Sequence, residues 1–189
     1  MRLASRLSAA ALATAAIAFA APAAESADLY VPTGPAILTV VGSIDSSNRG
    51  PCDPNDDKFF GYHEYSFDKA VQFDATILES LGMHAATIGY EGWPAPARFE
   101  GPLLVDLLAA VGAHGTSVTA IALDGYAERI EWSGLDAYRW ILATRRDGEF
   151  LPIGGHGPTW LVYDRGPDRR YTPDDEARWP WAVFLIVVE

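Results

Sequence analysis

Short runs rich in β-branched and aromatic residues, separated by turn-forming residues, set the frame for any fold this chain can adopt. They are Ala36 to Ile44, His84 to Tyr90, Ser117 to Leu123, Arg129 to Trp132, Arg139 to Thr144, Thr159 to Tyr163 and Trp181 to Val188. Two helical patterns interrupt them. Asp74 caps the first, in which Ile77, Leu78 and Leu81 fall at helical spacing before the left-handed stop offered by Gly82. Pro102 opens the second, where Leu103, Leu104, Leu107, Leu108 and Val111 make one apolar face and Gly112 ends it. Strands outnumber helices, turns are expected at Asp124-Gly125 and Asp147-Gly148, and no repeat or flexible linker divides the chain. The expected fold class is therefore α+β, with mixed sheets and a few short helices in one domain.

The N-terminus reads differently. Arg2 and Arg6 precede an Ala-rich apolar run from Ala9 to Ala21, and small residues continue to Ala27, the layout of a cleavable export signal. A membrane span needs about 20 strongly apolar residues, more than this run supplies. Residues 1–27 are expected to be removed, with Ala20, Ala23 and Ala27 as candidate cleavage points, leaving residues 28–189 as the mature domain. Two arginines and Glu25 leave with the signal, so the formal charge of −11 becomes about −12. Nucleic acid and anionic lipid are poor partners for such a surface. Cys52 is the only cysteine, so no disulfide can form within the chain and the core must supply the stability.

Asp45 to Gly61 contains S-S-N-R-G-P and D-P-N-D-D and reads as a polar surface excursion within an insertion near 45–72. Its Asp53, Asn55, Asp56 and Asp57 lack the Gly and the closing Glu of an EF-hand calcium loop. His63, His84, His114 and His156 lack zinc-type spacing, and neither a nucleophile with an adjacent base nor a P-loop is recognisable.

Three segments in order, F-E-G-P-L-L-V-D-L-L (Phe99 to Leu108), L-D-G-Y (Leu123 to Tyr126) and L-P-I-G-G-H-G-P-T-W-L-V-Y (Leu151 to Tyr163), resemble the molybdopterin-binding domain of the sulfite oxidase family. The resemblance covers Ala36 to Val188 apart from the insertion, and it implies that family's fold. It also implies a site where a pterin dithiolene and one cysteine thiolate hold molybdenum, the cysteine lying ahead of the F-x-G motif. The corresponding stretch here, Met83 to Arg98, contains no cysteine. In the family's H-G-x-P-x-R segment, His and Arg approach the cofactor's anionic groups. His156, Gly157 and Pro158 are kept, but Trp160 stands at the arginine position, offering a flat face and one N–H in place of a guanidinium. With the export signal and single-domain length, these departures resemble a small subgroup of periplasmic pterin-binding proteins that regulate membrane-bound cyclic-di-GMP enzymes.

That resemblance implies a pterin as ligand and the periplasmic domain of a membrane cyclic-di-GMP enzyme as partner. A pterin is a flat bicycle whose aminopyrimidine edge needs an aromatic face and a carboxylate or backbone acceptor. Trp160, Trp93, Tyr126 and Tyr90 are the candidate faces and Asp124 the candidate acceptor; core packing and a purely local Asp-Gly turn are the competing readings of the same residues. His156 sits in a Gly-flanked loop that lets the backbone approach a ligand. Arg98 and Glu91 flank the cysteine-free stretch as candidates for the cavity wall, against a solvated-surface reading. Three functions follow: a pterin-binding sensor without catalysis, a molybdopterin-dependent oxidoreductase with another metal ligand or none, and an interaction domain whose cleft is filled by side chains such as Trp160.

Overall fold

The structure, a computed structural model, describes residues 31–166 and 170–189. The export signal of residues 1–27 lies outside the described residues. In chain order the elements are β1 (Leu38–Gly42), α1 (Lys58–Tyr62), β2 (Val71–Phe73), α2 (Ala75–Ser80), β3 (His84–Ile88), β4 (Ala97–Gly101), α3 (Leu104–Ala110) and β5 (Ser117–Ala122). They continue with β6 (Ala127–Glu131), α4 (Trp132–Leu135), β7 (Arg139–Ala143), β8 (Arg145–Arg146), β9 (Glu149–Phe150), β10 (Trp160–Asp164), α5 (Pro173–Glu176) and β11 (Val183–Val188). The class is mixed α+β with short helices.

A five-stranded sheet in the order β2–β1–β11–β5–β6 forms the centre. β1 and β11 pair in parallel, Val40 opposite Ile186, while the other neighbours are antiparallel. Strands in this position are buried on both faces, which is why β11 reads V-F-L-I-V-V with no polar alternation. One face joins the main core. There α3 lays down Leu104, Leu107 and Leu108, with Val111 just beyond, as its apolar spacing dictates.

The other face presents Val41, Ile121, Phe184 and Leu185, and the insertion covers it with Phe60, Tyr65 and Phe67. Asp45 to Gly61 does run over the surface, with none of its residues buried, but Phe60 of α1 turns onto Phe184 and the residues after Gly61 close the sheet. Arg49 lies 5.0 Å over the Phe67 ring and forms an ion pair with Asp57, whose carboxylate also accepts the Asp53 amide at 2.8 Å. These acids are spent on the turn itself.

The remaining strands form a β10–β7 pair and a β3–β4–β8–β9 sheet. The pair is stitched to β4 by Leu142 N–H to the Pro102 carbonyl and Thr144 N–H to the Glu100 carbonyl, both 2.9 Å. At the other side, Val183 N–H reaches the Thr159 carbonyl at 3.0 Å, and Trp160 bridges to Trp181. Segments distant in the chain therefore meet at the start of β10. Most expected strand limits shift by one or two residues. Trp132 opens α4 instead of ending a strand, Trp181 stands outside β11 because Ala182 adopts a left-handed backbone at φ 55°, and Pro102 precedes the α3 N-cap, Leu103, instead of opening the helix. No helix among the described residues is long and apolar enough to cross a membrane.

Asp74 caps α2 as its position foretold, and does more. The buried carboxylate accepts the Ile77 amide at 2.8 Å and the Thr33 and Gly34 amides at 2.9 Å each, tying the segment ahead of β1 to the domain. These donors hold its carboxyl below the ordinary aspartate range. Because the unfolded chain then protonates first, the stabilisation is complete above that range and is lost as pH falls through it. Asp74→Ala should cost about 2 kcal/mol, and melting curves from pH 7 to pH 3 should show the variant losing less stability than the parent.

Candidate functional site

Three segments build one cleft of about 330 Å³, lined among others by Asp124, Tyr126, His156, Trp160, Glu176 and Trp181. The β5–β6 turn supplies the first two. Gly125 takes φ 89°, Asp124 Oδ1 accepts the Tyr126 amide at 3.0 Å, and the second carboxylate oxygen remains outward. The Tyr126 hydroxyl donates to the Ala177 carbonyl at 2.7 Å, which fixes the ring across the cleft with 42% of its surface exposed.

α5 supplies Glu176. Thr172 and Asp175 form a capping box at its start, and Asp175, buried, also accepts the Tyr163 hydroxyl at 2.6 Å and Arg165 at 2.8 Å. This network anchors the short helix to β10 and raises the Tyr163 pKa through burial and the neighbouring Asp175. Glu176 then faces the 90–93 turn, accepting the Tyr90 hydroxyl at 2.5 Å and Trp93 Nε1–H at 2.9 Å. Gly92 is required there because a Cβ would strike the Tyr90 ring.

The expectation for Trp160 as an open stacking face is corrected. The indole is only 3% exposed, its N–H donates to the Trp179 carbonyl at 3.1 Å, and the His156 imidazole lies flat on it at 4.3 Å and 13°. Phe99 and Trp93 pack around it at 5.0 and 5.8 Å. Trp160 is a wall, and the open rings are His156, Tyr126 and Trp181. Trp181, 42% exposed and set edge-on to His156 at 5.8 Å, was hidden in the sequence because it reads as the start of the last strand.

Tyr126, Asp124 and His156 thus converge as expected, with Trp93 and Tyr90 one layer behind through Glu176. Arg98 and Glu91 do not join them. Arg98 sits on β4 between the inward Ala97 and Phe99, so its side chain points away and pairs with Glu100 on the exposed side. Glu91 is exposed in the turn and lines no part of the cleft. The acid that lines the cleft instead is Glu176, which looks like one more solvated acid in the run D-D-E; the arginine nearest its aromatic wall is Arg146, which lies behind that wall and not in the lining. Phe99 pairs with Arg146 across the β4–β8 ladder, so both side chains share the inward face. The Arg146 guanidinium lies 5.4 Å from the Trp93 ring centroid and 5.9 Å from those of Phe99 and Trp160.

A molybdenum–pterin group held by thiolate does not fit these residues. No cysteine lines the cleft, and the Cys52 thiol lies in the insertion beside Asp57, where burial and that carboxylate push its pKa up, the opposite of what a thiolate ligand needs. Among the described residues no group of three or more His, Cys, Asp or Glu is placed to hold a metal ion.

No protein-family model and no curated protein matches this chain. Its chemistry therefore has to be argued from the cleft.

Burial and the nearby Arg146 cation hold the His156 imidazole below the ordinary histidine value, with Glu176 acting in the opposite direction. Nitrogen-detected NMR should show His156 titrating below a free histidine, with the midpoint moving up in Arg146→Gln. An unchanged midpoint would mean that the guanidinium does not act on the ring.

Proposed function

We propose that this protein binds a pterin, or a closely related planar heterocycle bearing amino groups, and that it does so as a sensor without turning the ligand over. The observation that carries this reading is the composition of one cleft. Its open aromatic surfaces, Trp181, Tyr126 and His156, stand beside the Asp124 carboxylate, which has one oxygen committed to the Tyr126 amide, and no thiol is among the lining residues. Flat rings find stacking partners there, and ring N–H groups find acceptors. A volume of about 330 Å³ suits a bicyclic ligand.

The sulfite oxidase-like fold is part of the same proposal. It is supported by the convergence of the L-D-G-Y turn and the G-G-H-G-P-T-W loop on one cleft. The export signal read in residues 1–27 adds the periplasm as the compartment, and the proposed partner is the periplasmic domain of a membrane cyclic-di-GMP enzyme. The oxidoreductase reading is the weaker because no sulfur donor is at hand. The interaction-domain reading has one observation in its favour: His156 already covers the Trp160 face.

Calorimetry with a panel of reduced and oxidised pterins separates these readings. Stacking of a base on an aromatic is worth about 1–3 kcal/mol, so Trp181→Ala should weaken pterin binding by roughly five- to a hundredfold. Failure of the parent protein to load any pterin would remove the sensor reading and leave the interaction domain. Elemental analysis of protein made in a cofactor-competent host should find only trace molybdenum; a stoichiometric amount would restore the oxidoreductase.

A further inference from the structure

Glu176 faces two ways. It lines the cleft, where its charge acts on the His156 ring, yet both of its oxygens already accept hydrogen bonds, one from the Tyr90 hydroxyl at 2.5 Å and one from Trp93 Nε1–H at 2.9 Å. The helix under Glu176 is fixed, because the neighbouring Asp175 fastens α5 to Tyr163 and Arg165. The opposite side of the contact is freer. Tyr90 and Trp93 belong to the tip of the β3–β4 hairpin, whose neck is closed by the Ile88–Ala97 pair and by Gly89, where a Cβ would stand 2.7 Å from Pro96 Cα. Beyond that neck Glu91, Gly92, Pro94 and Ala95 are exposed. Among the described residues, the two bonds to Glu176 are the only hydrogen bonds that tie this tip to another element.

The two bonds are not equally hard to give up. The Trp93 indole packs against Trp160, Phe99 and Trp179 at 5.8, 5.9 and 6.1 Å, so withdrawing its N–H would disturb the aromatic wall of the cleft. Tyr90 is only partly buried and its one ring neighbour is Trp93, so water can replace the carboxylate at its hydroxyl. Resting on the pterin reading of the cleft, we propose that Glu176 is a shared acceptor: without ligand it latches the hairpin tip, and with ligand an amino or ring N–H group displaces the Tyr90 hydroxyl from it. Residues 90–95 are then released on the protein surface, which makes the tip the element that reports occupancy. A carboxylate suits this exchange because it accepts either donor through a charge-assisted bond.

Calorimetry and amide hydrogen exchange test the latch, with 6-methylpterin in its oxidised and tetrahydro forms as probes. Tyr90→Phe keeps the ring but removes the competing donor, so it should bind the better probe about tenfold tighter than the parent, whereas a merely structural hydroxyl would leave affinity unchanged or reduce it. Glu176→Gln should bind about tenfold more weakly. In the parent, exchange of the amides of residues 90–93 should quicken when the probe saturates the protein; in Tyr90→Phe it should already be fast and change no further. Unchanged or weaker binding by Tyr90→Phe, or saturation of the parent with no quickening at the tip, overturns the latch and leaves the pterin reading standing. If neither protein binds a pterin, that reading fails, and the unliganded proteins decide the latch. Faster exchange at residues 90–93 in both variants than in the parent supports it, and exchange equal to the parent's overturns it.

Discussion

The parallel pairing of β1 with β11 is the constraint from which most of the remaining architecture follows. Parallel strands at the middle of a sheet have no solvent face, so both of their surfaces must be covered. α3 and the β7–β10 layer cover one. The second falls to the insertion, whose aromatic residues would otherwise be an exposed liability and instead meet Phe184 and Leu185. A segment that looks like an appendage is in this sense the cover of a second, smaller apolar cluster. The same pairing places residues 179–182 against the start of β10, and the cleft opens along that seam.

Within the cleft, polar groups are divided between those that hold the walls and those left for a visitor. Asp175 is fully engaged in fastening α5, and Glu176 fastens the 90–93 turn. Asp124 uses one oxygen locally and keeps the other outward. The aromatic residues divide likewise, Trp160 and Trp93 being packed while Trp181 and Tyr126 stay open.

What the sequence made legible was local. The Asp74 cap of α2, the apolar faces of α2 and α3, the Asp124-Gly125 turn and the cores of most strands all follow from residues within a few positions of one another. Only the resemblance put Tyr126, Asp124 and His156 together, and all three line one cleft. Contacts between distant segments were not legible. Trp160 was recognisable as an aromatic near a Gly-rich loop, but its exposure depends on Trp179, His156 and Phe99, which only the fold brings together. The outward turn of Arg98, with Arg146 on the inward face, has the same origin. Which arginine faces inward is decided by the register of β4 against β8, and a two-residue strand leaves almost no pattern to read. Trp181 escaped because a single left-handed residue, Ala182, detaches it from the strand it appears to begin.

The order of strands carries a consequence for how the chain reaches this state. β11 sits between β1 and β5, yet it is made long after both of them. A chain emerging from the ribosome would hold two apolar strands without their shared neighbour until residues 183–188 were made. Such late, long-range closure makes for slow folding and a window in which bare β-edges attract one another, so a clean outcome depends on what shields β1 and β5 in the meantime.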